Sequence, residues 1–395
     1  MTLWDELVGQ HSAVALMKEA AKPDSPAMTH AWLITGPPGS GRSTLAHAFA
    51  AELVGAGQEE HRWNQVVAGS NPDVSILATD RVTITIDEVR ALVSFSYFSP
   101  SQAPYRVVVI EDADRMTERT SNVLLKALEE PPPQTVWILC APSPADVLPT
   151  IRSRMRSVTL VVPERDEVAQ LITQREGVDE DVARLAAQEA QSHIGMATRL
   201  ATDPDARSRR DASIRAVLGV SSVSGAVKTA AELLELAKQD AAALVDRLDA
   251  KERESLLHSL GIAPGGAVPA AMRSHVKSLE DDQKRRATRS LRDAVDRVLV
   301  DVMSLMRDVL MVQVDAGVDP INVQHEALVQ QRAQDTTSVL TMAGLEAIDE
   351  ARARMAQNSP PLLVLEALLI ELSGRAQIAQ SGLGNRGHAS LPHTV

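Results

Sequence analysis

The sequence predicts an α/β domain built on a parallel sheet and followed by a helical half. Three observations carry that expectation. Short β-branched runs, Ala31-Trp32-Leu33-Ile34, Arg106-Val107-Val108-Val109-Ile110 and Thr135-Val136-Trp137-Ile138-Leu139-Cys140, alternate with helix-like stretches and are apolar throughout, as strands buried on both faces must be. A glycine-rich turn joins the first run to a helix. After Pro163 no strand pattern returns, and apolar residues recur at helical spacing, most regularly from Val295 through Val298, Leu299, Val302, Leu305, Met306 and Val309 to Leu310.

In chain order, residues 3–21 read as helical, with a turn at Leu7-Val8-Gly9-Gln10 and a second helix from near His11. The first strand leads into a helix over Thr44–Leu53. Residues 55–70 read as a loop and a short helix, Asn71-Pro72-Asp73 as a turn, and Val74–Leu77 as a short strand. Ile86–Val93 forms a helix with Asp87 and Glu88 in its first turn, where they face the positive dipole end. The strand ending at Ile110 is followed by Glu111 and Asp112, then by a helix over Asp114–Glu130 stopped by Pro131-Pro132-Pro133. Leu148–Arg156 is a short, very basic helical turn, and Val158–Val161 the last strand. These readings divide the chain into an α/β domain (1–163), a small helical lid (164–204), a helical domain (205–376) and a disordered Gly/Ser/His-rich tail (377–395). Gly261–Pro269 reads as a flexible interruption.

Composition narrows the function classes. Forty basic against 52 acidic residues give a net charge of −12, so any contact with DNA is local or indirect. Four Trp, two Tyr and three Phe offer few stacking platforms for single strands. Lys284-Arg285-Arg286 with Arg289 reads as a charged helix face beside Glu280-Asp281-Asp282 rather than a nucleic-acid patch. The single cysteine, Cys140, excludes an internal disulfide and reads as a core filler in a cytoplasmic, reducing setting. No signal peptide is recognisable, and no apolar run approaches the ~20 residues that span a bilayer.

The turn Gly36-Pro37-Pro38-Gly39-Ser40-Gly41-Arg42-Ser43 is a P-loop pattern with one letter changed. Its glycines let backbone N–H groups close around phosphate oxygens where a Cβ would obstruct. Arg42 stands where a lysine reaches the β- and γ-phosphates, and Ser43 supplies the hydroxyl that ligates Mg²⁺. Arg holds phosphate through a planar fork, a geometry unlike the point charge of Lys. At the end of the third strand a hydrolytic site needs a Mg²⁺-holding Asp followed by a water-polarising Glu. Here the order is reversed, Glu111 then Asp112. Ser43 and Glu111 are then the candidate Mg²⁺ ligands for a bound ATP or ADP.

Ser121-Asn122-Val123-Leu124-Leu125-Lys126-Ala127-Leu128-Glu129-Glu130-Pro131-Pro132, then Val136–Leu139, then Leu148-Pro149-Thr150-Ile151-Arg152-Ser153-Arg154, resembles the bacterial sliding-clamp loaders of the AAA+ class, which belong to the DNA polymerase III holoenzyme. The resemblance covers residues 1–200 specifically and 208–374 only as one helical bundle resembles another. It implies a hetero-pentamer with motor ATPase subunits and a delta subunit, which opens the sliding clamp and places it on primer-template DNA. In such rings the Arg of a Ser-Arg-Cys motif enters the neighbour's ATP site. The motif here reads Ser153-Arg154-Met155, so Arg154 carries over as an arginine finger acting in trans.

Other family positions are altered. The lid's Gly-x-x-Arg sensor reads Gly195-Met196-Ala197-Thr198, with Arg199 one residue late, about 100° round the helix. The strand-end sensor falls on Ala141 or Ser143. The four cysteines of a zinc module are missing from 55–72, and His61 reads as a surface residue, so no zinc is expected. Together these departures imply a stator with little or no ATPase of its own, its helical domain packed into the oligomeric collar. An active AAA+ ATPase, and a scaffold that binds no nucleotide, remain the competing readings at this stage.

Overall fold

The computed structural model describes residues 3–55, 65–66, 69–79, 83–259 and 273–384. His61, most of the loop expected between 55 and 70, the Gly261–Pro269 interruption and residues 385–395 lie outside them. The chain divides into two compact units, Met1–Thr202 and Asp203–Val395.

The first unit opens with a 3-10 turn, Leu3–Glu6, and helix α1, His11–Ala20. Five strands, β1 Ala31–Thr35, β2 Val74–Leu77, β3 Arg106–Ile110, β4 Thr135–Ala141 and β5 Arg156–Thr159, form a sheet in the order β2-β3-β4-β1-β5, every pair parallel. The connecting helices are α2 Arg42–Leu53, α3 Ile86–Ser96, α4 Glu118–Glu129 and the short α5 Pro149–Arg152. Alternate residues of each strand feed opposite cores, which is why the strands read as unbroken apolar runs. Trp32, Ile34, Val107, Val109, Ile138 and Cys140 pack with α1 and α2 on one face. Leu33, Val108, Ile110, Trp137 and Leu139 pack with α3 and α4 on the other.

Local chemistry sets the helix ends. Thr85 and Glu88 form a reciprocal capping box at the start of α3. The helix expected over Asp114–Glu130 is broken: a 3-10 turn covers Ala113–Arg115, and α4 begins only at Glu118, because the Thr117 side chain caps it by accepting from Thr120 N–H. The last strand runs over 156–159 rather than 158–161, in register with Trp32–Thr35 of β1. Beyond it the Gln10 side chain takes both polar backbone groups of Val161.

A buried carboxylate anchors the strand that delivers Glu111. Asp73, immediately before β2, accepts from the N–H groups of Ser101, Gln102 and Ala103 and pairs with Arg106 at 3.1 Å at the start of β3. Burial pushes its carboxyl up, but the three N–H groups and Arg106 outweigh that and hold it below the ordinary 3.8. A lowered folded value means that Asp73 stabilises the fold fully above about pH 4 and that this contribution is lost as pH falls through the lowered value. The urea midpoint of the wild type should therefore fall toward that of Asp73→Asn as pH drops from 5 to 2.

Helices α6 Arg165–Glu176, α7 Glu180–Glu189 and α8 Ile194–Thr202 follow the sheet. These residues, expected as a separate lid, fall within the first unit, tied back by Arg175 to Glu6 at 3.4 Å.

The second unit is helical among its described residues: α9 Pro204–Leu218, α10 Val223–Ser259, α11 Arg273–Gln313, α12 Glu326–Asp335, α13 Ser338–Ala356 and α14 Pro361–Gly384. Its core joins Leu233, Val295, Leu299, Leu305, Ile348, Leu365 and Leu369 from α10, α11, α13 and α14. The final helix continues to Gly384, past the expected start of a disordered tail at Gln377, since Ala376-Gln377-Ile378-Ala379-Gln380 contains no helix breaker. Arg286 is neutralised by Asp249 and Glu252 at 2.6 and 2.9 Å, and Arg289 faces Asp293 at 3.5 Å, as a charged helix face requires. No helix among the described residues is long and apolar enough to cross a membrane.

Candidate nucleotide-binding site

The P-loop lies at the carboxyl end of β1, where open parallel sheets bind their ligands. The loop base is pinned by Gly36 N–H donating to Pro142 O at 3.2 Å, from the end of β4. Gly39 and Gly41 adopt φ of +79° and +94°, the left-handed region closed to most side chains. Gly41 precedes α2 with no side-chain cap, so the first N–H groups of that twelve-residue helix remain for an anion. The Ser40 hydroxyl is fully buried and has no hydrogen-bond partner. Pro37 and Pro38 stiffen the turn; Pro37 O accepts from Ser40 N–H.

Arg42 folds back along the loop, its Nη1 donating to Gly36 O. Ser43 Oγ donates to Glu111 Oε2 at 3.0 Å, across 68 residues of sequence. The other carboxylate oxygen, Oε1, accepts from His47 Nε2 at 2.7 Å, with both side chains only 19% exposed. His47 was not among the sequence candidates; its signal was position alone, one helical turn beyond Ser43. Asp112 begins the 3-10 turn and lies 3.8 Å from Arg115 Nε. Burial pushes the neighbouring Asp114 carboxyl up, with Asp112 adding to the rise and Arg115 and Arg42 opposing it. Cys140 is fully buried, and desolvation raises its thiol, so it is an inert filler beneath Arg42.

Ala141 has no polar side chain, and Ser143 spends its oxygen on Ala145 N–H at 3.2 Å. Between α7 and α8, His193 meets the P-loop, a second residue the sequence reading missed. A Cβ built on Gly39 would stand 2.3 Å from His193 Cγ, so only glycine fits beneath the ring. His193 Nδ1 accepts from Met196 N–H at 3.2 Å, fixing the ring at the start of α8.

Arg154 occupies the other end of the sheet. The strand that begins two residues after it, β5, runs parallel to β1 with Arg156 opposite Trp32, so Arg154 precedes the amino ends of strands whose carboxyl ends carry the P-loop. The separation is on the order of 10 Å or more along the strands, and Arg154 therefore cannot serve its own P-loop. Its Nε donates to Glu129 Oε1 at 2.9 Å, Nη2 forms an ion pair with the same oxygen at 2.5 Å, and Nη1 donates to Thr150 O at 2.6 Å. The side chain remains 36% exposed. The flanking arginines are structural: Arg152 donates to Pro144 O, and Arg156 donates to Ala27 O and lies over the Trp32 ring. Met155 is buried among α4 and β4 residues.

Residues 9–164 match the family model described as "DNA polymerase III, delta subunit". Among curated proteins, the DNA polymerase III subunit delta' of Pseudomonas aeruginosa is 37% identical over 134 residues, 32% of this chain and 41% of that protein. The delta' subunit of Yersinia pestis is 30% identical over 220 residues, 52% of this chain and 61% of that protein. The subunit gamma/tau of Mycobacterium tuberculosis is 31% identical over 189 residues, 45% of this chain and 32% of that protein. The chain thus spans less than two thirds of the length of each of these relatives. Among solved structures, a DNA polymerase III gamma subunit-related protein from Thermotoga maritima covers 92% of this chain at 17% identity with a TM-score of 0.46. Over residues 9–164, the sheet unit, the chain is therefore similar to the delta' and gamma/tau subunits of DNA polymerase III.

Proposed function

We propose that this chain is a stator subunit of a replicative clamp loader, supplying Arg154 as an arginine finger to the ATP site of a neighbouring subunit. One observation carries the reading: Arg154 is exposed at the opposite end of the sheet from its own P-loop, with its guanidinium held in a set orientation by Glu129 and Thr150. An arginine so oriented can stabilise charge developing on a γ-phosphate presented by a neighbour. Its own loop, Gly36–Ser43, retains the phosphate-binding backbone but not the hydrolytic arrangement, because Glu111 is taken up by Ser43 and His47. Against an active ATPase stand Arg42, the reversed Glu111-Asp112 pair and Thr198 in the lid.

In this reading the helical residues 205–376 form the oligomeric collar, and 164–204 the lid. The partners are the motor ATPase subunits and the delta subunit of a hetero-pentamer, together with the sliding clamp and, locally or indirectly, primer-template DNA. The working place is the cytoplasm.

Co-expression with the gamma/tau and delta proteins of the same cell should yield a stable hetero-oligomer containing this chain. The purified chain alone should show no steady turnover of Mg-ATP. Failure to co-assemble would remove the clamp-loader reading, and multiple turnover by the isolated chain would favour an active ATPase.

A further inference from the structure

The two halves of the P-loop site are in different condition. The anion half is built: Gly39 and Gly41 in the left-handed region, the uncapped start of α2, the buried Ser40 hydroxyl without a partner, and the Arg42 guanidinium lying along the loop. The cation half is closed. In a P-loop site the Mg²⁺ stands between the Ser/Thr hydroxyl, the phosphates and a strand-end Asp. Here the acid is Glu111, one methylene longer than Asp, and it reaches the Ser43 hydroxyl directly at 3.0 Å, across the gap where an ion and its waters would stand. Its second oxygen is held at 2.7 Å by His47, which aims an N–H donor at the same place.

Mg²⁺ demands near-octahedral oxygen ligands at about 2.0–2.1 Å and sheds its waters reluctantly. To enter, it would have to break both contacts of Glu111 and sit against a hydrogen-bond donor. The donor set therefore does not fit the metal, although the loop fits the phosphate.

We propose that this P-loop binds a nucleoside diphosphate or triphosphate without a divalent cation, its phosphates held by the loop N–H groups and Arg42 while Ser43, Glu111 and His47 stay locked together. The site would then hold nucleotide as a fixed ligand rather than turn it over. This rests on the nucleotide-retaining part of the proposed function and is independent of the role of Arg154.

The test is fluorescence anisotropy of an N-methylanthraniloyl-ADP probe titrated with the full chain, once in excess Mg²⁺ and once in excess EDTA. The two Kd values are expected to agree within about threefold. Binding tighter by about tenfold or more in Mg²⁺, or no binding in either buffer, would overturn the proposal. The double substitution His47→Ala with Glu111→Asp reopens the gap and is expected to bind about tenfold or more tightly in Mg²⁺ than in EDTA. A double variant that binds equally well in both buffers would overturn the roles given to Glu111 and His47. Co-assembly of the same preparation with gamma/tau and delta is scored separately, so failure of metal independence and failure of the clamp-loader reading are distinguishable.

Discussion

Replacing Arg154 by alanine is expected to lower ATP hydrolysis at the neighbouring site by ~10³–10⁵-fold while leaving the assembly intact. The size follows from what such a finger does: a charged fork placed where negative charge develops acts in a site from which water is excluded, so its loss falls almost wholly on the transition state. The structural cost is small. Arg154 and Glu129 are 36% and 47% exposed, and an exposed ion pair of this kind contributes about 0–1 kcal/mol. Arg154→Lys keeps the charge but not the fork held by Glu129 and Thr150, so it should recover only part of the rate. The measurement is the DNA-stimulated ATPase of the reconstituted complex, with assembly followed by gel filtration. Since other sites in the ring keep turning over, single-turnover hydrolysis at the affected site is the decisive rate. An unchanged rate there would end the finger assignment.

The largest expected effect on stability lies in the second unit. Asp308, with a side chain only 1% exposed, accepts from the backbone N–H groups of Ile321 and Asn322 and from Asn322 Nδ2, and it pairs with Arg307 at 2.8 Å. Asn322, fully buried, also donates to Ser304 Oγ and accepts from Arg210 Nη2 at 2.7 Å, and Arg210 in turn pairs with Asp301 at 3.0 Å. Asp308→Ala leaves several buried donors without an acceptor and should cost ~3–5 kcal/mol. Asp308→Asn keeps the shape and one acceptor and should cost less. The chain offers a convenient separation of signals: all four tryptophans, Trp4, Trp32, Trp63 and Trp137, precede residue 203. Urea unfolding followed by far-UV circular dichroism should shift in Asp308→Ala, while tryptophan fluorescence reports the first unit unchanged. Coincident shifts in both signals would contradict a loss confined to the second unit.

Much of the sheet unit was legible because its signals are local. Runs such as Val107–Ile110 and Val136–Leu139 are apolar on both faces only if both faces are covered, which implies parallel strands and crossover helices. Where boundaries went astray, a side chain competed with the periodicity. Thr117 caps a new helix inside what the apolar pattern reads as one, and Gln10 bonds the Val161 backbone that would have prolonged the last strand.

From the residues alone came the order of strands and helices, the glycine positions of the P-loop and the exchanged letters at Arg42, Glu111 and Asp112. Each depends on backbone conformation or spacing within a few neighbours. Only the tertiary structure decided that His47 holds Glu111 across 64 residues, that His193 covers Gly39, and that Arg154 stands at the far end of the sheet from its own loop. These are through-space relations between side chains on different elements. No local periodicity encodes them, because they exist only once strand order and register bring those elements together.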